Sequence, residues 1–84
     1  MPRYRFHLYD HTGFVEDMEG LDLPSLDRAR QTALKGARSI ISQDVETGFV
    51  DLSGRIEVVD DHAQLVLVLP FGDAVQLRQG SHPP

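Results

Sequence analysis

The segment Leu23 to Gly48, LPSLDRARQTALKGARSIISQDVETG, is the feature that most constrains this chain. Its apolar residues recur at Leu26, Ala29, Ala33, Leu34, Ala37, Ile40, Ile41 and Val45, which at 3.6 residues per turn form one stripe. Gln31, Lys35, Arg38 and Ser42 lie opposite. Ser25 is a good N-cap after Pro24, Asp27 suits the helix dipole, and Gly48 is a natural stop. Gly36 costs about 1 kcal/mol relative to Ala inside such a helix, which means either close packing there or simple tolerance. A helix of this kind needs an apolar surface to lie on, and the flanking segments supply it.

Arg3 to Tyr9 alternates, with Tyr4, Phe6 and Leu8 on one face and Arg3, Arg5, His7 and Tyr9 on the other. Asp10-His11-Thr12-Gly13 has turn chemistry, and Phe14 to Met18 reads as a short edge strand closing a hairpin. Glu19 to Asp22 breaks the pattern. After the helix, Arg55 to Asp60 reads as a third strand with Ile56 and Val58 inward, and Asp61-His62 as a turn. Leu65-Val66-Leu67-Val68-Leu69 is a fourth strand, apolar on both faces and ended by Pro70. Gly72 to Val75 allows one more turn. The expected fold is α+β with order ββαββ: a four-stranded antiparallel sheet, order 2-1-3-4, with the helix packed across one face. Residues 1–76 form the domain and 77–84 a frayed, polar tail.

Eighty-four residues hold one small core, and no cysteine is present to staple it. Self-association is one remaining way to add buried area. The fourth strand lies at the sheet edge in this order, and an exposed apolar edge is a hazard that natural proteins cover. Pairing with its copy across a two-fold axis covers it, so a homodimer through Leu65, Val66, Leu67, Val68 and Leu69 is expected. The net charge of −5 disfavours nucleic acid, no apolar run spans a membrane, and the N-terminus lacks the apolar core of a secretory signal. A cytoplasmic protein without cofactor is the resulting expectation.

The ordered set Pro2-Arg3-Tyr4, Phe6-His7, Asp10, Glu19-Gly20, Leu23-Pro24, Ala29-Arg30, Ala33-Leu34, Ala37-Arg38, Ser53-Gly54, Ile56-Glu57-Val58, Asp60 and Pro70-Phe71 resembles a bacterial family of short proteins classed as a domain of unknown function. The resemblance covers roughly residues 2 to 75 and implies no activity. This chain departs from the family's turns at Asp10-His11, where Asp-Gly is common, and at Ala63, which replaces a Gly. In organisation alone it is similar to HicB-type antitoxins, which place a strand pair, an acidic turn and a Leu-Pro lead-in before an Ala-rich helix. That likeness implies a small basic protein as partner.

No motif carries recognisable catalytic chemistry. His7, Asp10 and His11 form H-x-x-D-H, but on a strand the two histidines stand about 13 Å apart, so turn chemistry is the better reading than a metal site. His62 is a turn residue and His82 lies in the tail. Asp17, Glu19 and Asp22 lack the ligand pattern of a calcium loop. Arg3-Tyr4-Arg5-Phe6 separates Arg from ring by alternation and is too small a platform for nucleic acid. Arg30 stands out because it falls inside the apolar stripe, between Leu26, Ala37 and Leu34. A charge there must snorkel out or meet a carboxylate. The expectation is a structural ion pair with Asp17 or Glu19, with Glu57 or Asp60 as further options. Arg30 with His7 and Asp10 is the candidate ligand site.

Overall fold

The computed structural model describes residues 1–78 and Gly80. Gln79 and residues 81–84, and with them His82 and most of the expected tail, lie outside the described residues. Five strands and two helical elements follow in the order β1 (Arg3–Asp10), β2 (Gly13–Val15), β3 (Leu21–Asp22), α1 (Leu26–Thr47), β4 (Arg55–Val59), β5 (Leu65–Pro70) and the 3-10 turn η1 (Phe71–Asp73). The sheet is antiparallel throughout, with order β2-β1-β4-β5 and β3 added beside β1. The class is α+β, as expected, and β5 lies at an edge.

The helix begins and ends where its caps dictate. Ser25 is extended, and its Oγ accepts the Arg28 N–H at 3.1 Å. Gly48, at φ +82°, donates its N–H to the Val45 carbonyl at 3.1 Å. Ala29, Ala33, Ala37 and Ile41 are its buried face. Three alanines at i, i+4, i+8 present no bulk, so the helix axis settles close onto β4 and β5, against Ile56, Val58 and Leu69. Phe71 and Val58 are the largest wholly buried side chains. Phe71 packs on Gly54, where a Cβ would stand 2.7 Å from its ring and 2.8 Å from the Tyr9 carbonyl; its N–H donates to the Gly54 carbonyl at 2.9 Å.

Three expectations need correction. The first hairpin's return strand is not continuous from Phe14 to Met18. It splits into β2, opposite Leu8 to Asp10, and β3, opposite Arg3 and Tyr4. Five residues, Glu16 to Gly20, face the three residues between those pairings, so the chain bulges out there, and Gly20 takes φ +74° with the Tyr4 carbonyl 2.7 Å from where a Cβ would be.

Second, the last strand does not alternate evenly. Val58 pairs with Leu67 but Val59 pairs with Leu65, which leaves Val66 as an extra residue. Third, Arg30 is exposed, and among the described residues it has no ion-pair partner. The wheel sets it within the stripe, but from Leu26 to Gln31 only Ala29 is buried, so the apolar cover at this end of the helix does not extend to Arg30. Leu26 on the same stripe is likewise 45% exposed. The expected pairs of Arg30 with Asp17 or Glu19 are therefore absent.

Candidate functional site

The sheet has one face under the helix and one face open. Strand alternation puts Arg3, Arg5, His7 and Tyr9 of β1 on the open face, opposite Val59, Glu57 and Arg55 of β4. Phe14, paired with Tyr9, joins them from β2. The rings form a short row: Tyr9 and Phe14 centroids are 4.6 Å apart, and His7 and Phe14 5.7 Å. Arg55 lies 4.1 Å over the Tyr9 ring while its Nε donates to Glu57 at 2.7 Å. The expected separation of Arg from ring holds for Tyr4 and Phe6, which point inward. Tyr9 shares the face of Arg3 and Arg5, as the alternation of β1 implies. The period of two carried that signal; Phe14 and Arg55 required the register between strands.

A groove of about 380 Å³ crosses this face, lined by Arg3, Arg5, His7, Glu16, Val59, Asp60, Asp61 and Ala63. Two of its charges, Arg3 and Asp60, are engaged. Arg3 Nε lies 3.2 Å from Asp22, and another of its nitrogens donates to the Glu19 carbonyl. Asp60 accepts the backbone N–H groups of Gln64 and His62, both at 2.9 Å, which holds its carboxyl below the usual value. Arg5 has no ion-pair partner among the described residues.

Asp17 accepts three backbone N–H groups. Its Oδ2 accepts the Phe6 N–H at 3.0 Å, and its Oδ1 those of Gly20 at 3.0 Å and Glu19 at 3.2 Å. Its own N–H donates to His7 Nδ1 at 3.1 Å, which makes that nitrogen the acceptor. Phe6 lies where β1 has lost its neighbour between β2 and β3. The carboxylate thus replaces a missing strand as acceptor. Burial is the largest influence on its acidity and opposes ionisation, but donation from Gly20, Phe6 and Glu19 together outweighs it and lowers the pKa.

His7, Asp10 and Arg30 are not brought together. His7 is on the open face, Asp10 sits in the hairpin turn bonded to the Thr12 hydroxyl and N–H, and Arg30 is on the helix beyond the opposite face. The Thr12 hydroxyl first, then the Thr12 N–H, lowers the Asp10 pKa. His11, read as turn chemistry, has a specific partner: its Nδ1 is 2.6 Å from Asp51 in the loop after the helix. Asp51 also accepts the Ser53 hydroxyl at 2.6 Å and N–H at 2.9 Å, which with His11 brings its pKa to about 2. Among the described residues no group of three or more His, Asp or Glu is placed to hold a metal ion, and no helix is long and apolar enough to cross a membrane.

A single helix laid across one face of an antiparallel sheet, with the other face open and polar-aromatic, defines a small α+β domain. The chain belongs to the family described as a domain of unknown function, DUF6894, whose pattern matches residues 3–72. No curated protein and no solved structure matches it.

Proposed function

We propose that this chain is a small bacterial, cytoplasmic interaction or regulatory module, non-enzymatic and without a cofactor, that acts as a homodimer. One observation carries the reading. β5 is an edge strand of six residues with no charge in it, and Leu65 and Val68 are 54% and 43% exposed. An edge of that composition favours a covering partner, and a second copy presents the matching surface. Light scattering at micromolar concentration tests it: a mass of two chains is the expected result, and a monomer ends the homodimer reading.

A second reading, antitoxin-like inhibition of a small basic protein, has its own support at the opposite edge. There Phe14, Val15, Met18 and Leu21 are exposed beside Glu16 and Glu19, whose carboxylates have no cation partner among the described residues. Affinity capture from the native cell separates the two: a stoichiometric basic partner selects the second, and recovery of the chain alone selects the first. The small-ligand or metal reading at His7, Asp10 and Arg30 receives no support from their placement.

A further inference from the structure

The irregularity in β5 restricts how two copies can pair, and it selects one register. Residues directly opposite in an antiparallel pair point to the same face of the sheet. Leu67 and Leu69 point under the helix, because they pair with Val58 and Ile56 of the core. Val68 pairs with Glu57, on the open face. Leu65 pairs with Val59, also on the open face, because the extra residue Val66 has inverted the alternation. An axis through Leu67, the middle of the apolar run, would therefore set Leu65 against Leu69 of the partner, one pointing up and the other down. An axis between Leu67 and Val68, or between Val68 and Leu69, sets two neighbours that point to opposite faces directly against each other. One between Val66 and Leu67 matches Leu65 with Val68 on the open face, but it brings the two bulges together and sets Leu69 against Gln64, outside the strand. An axis through Leu69 brings Leu67 against Phe71, which has left the strand for η1.

We infer that two copies of this chain pair through β5 in antiparallel fashion, with the two-fold axis passing at Val68. Leu67 then meets Leu69 on the helix side, Val68 meets Val68 on the open side, and the bulged Val66 meets Pro70, which has no N–H to donate. The irregular end of each strand falls against the proline end of the other, so the regular portion pairs only with itself. No like charges are forced together: Glu57, the neighbour of Val68 in β4, is held by Arg55 at 2.7 Å. The axis stands perpendicular to the sheet, and the product is one continuous sheet with both helices on the same side.

This arrangement rests on the homodimer reading, and the experiment separates the two. The chain has no cysteine, so an introduced one is unique. Val68→Cys places the two sulfurs on facing residues whose Cα atoms are about 4.5–5.5 Å apart, within disulfide reach. Leu67→Cys sets its copies two residues out of step, at roughly 8 Å, beyond that reach. Mild oxidation is expected to cross-link Val68→Cys near completion, with at least a tenfold lower yield for Leu67→Cys. A two-chain mass with cross-linking at Leu67 rather than Val68 overturns this register and leaves the homodimer standing; a one-chain mass overturns both. Hydrogen exchange on the unmodified chain gives a second readout: slowing of the Leu67 to Leu69 amides with rising concentration is expected, and concentration-independent exchange overturns β5 as the interface.

Discussion

At the scale of single residues, Asp17 ties the first hairpin to itself, by one carboxylate receiving three backbone N–H groups. Asp17→Ala leaves the Phe6 N–H without its acceptor, and a loss of about 1–3 kcal/mol is expected in chemical denaturation. The depressed pKa values of Asp17 and Asp51 set the acid limit. Each folded value lies below the unfolded value of about 3.9, so the native state binds fewer protons in that range. Their stabilisation is complete above about pH 4 and drains as the pH falls, for Asp51 until about 2. A pH titration of unfolding should show a shallower acid slope in Asp51→Asn, with the difference confined to that window. None of this was legible in advance, because most partners of these carboxylates are backbone groups or local hydroxyls that look alike in any sequence, and the one ring among them, His11, lies forty residues from Asp51.

At the scale of elements, legibility followed the strength of the periodic signal. The helix was readable to within its caps because Ser25, Gly48 and the alanine stripe agree. The sheet order on its main path was readable from chirality and connection length. The broken return strand and the extra residue in β5 were not. A run such as Leu65 to Leu69 is apolar at every position, so a slip of one residue leaves no trace in its pattern.

Two substitutions test the local geometry. At Gly36 a Cβ would sit 3.8 Å from Ile56 Cδ1, an ordinary contact. Gly36→Ala should therefore stabilise by roughly 0.5–1 kcal/mol, measured as a higher denaturation midpoint with unchanged slope. Ala63 takes φ +60° in the second hairpin turn. Relief of that left-handed strain, about 1 kcal/mol for a residue with a Cβ, should make Ala63→Gly neutral to stabilising by thermal melting despite the greater entropy of the unfolded chain.

At the scale of the whole molecule, what was expected as an optional final turn is part of the core: Phe71 is 1% and Ala74 2% exposed. The family match ends at residue 72, just past that aromatic. A chain ending at Pro70 loses the ring that fills the space over Gly54, and removing a buried Phe of this kind costs about 3–5 kcal/mol. For so small a domain that is a large share of its stability. Circular dichroism of the truncated chain should show loss of a cooperative transition, whereas a chain ending at Gln76 should retain it.

The position of Phe71 also has a temporal meaning. A ribosome delivers the helix and both hairpins before it delivers the side chain that closes the core, so the nascent chain exposes its apolar stripe and the β5 edge together until nearly the end of the domain is made. Pauses or shortened messages near this point would release species whose strands are complete but unsealed. Such species are the ones most exposed to chaperones, to proteases and to one another.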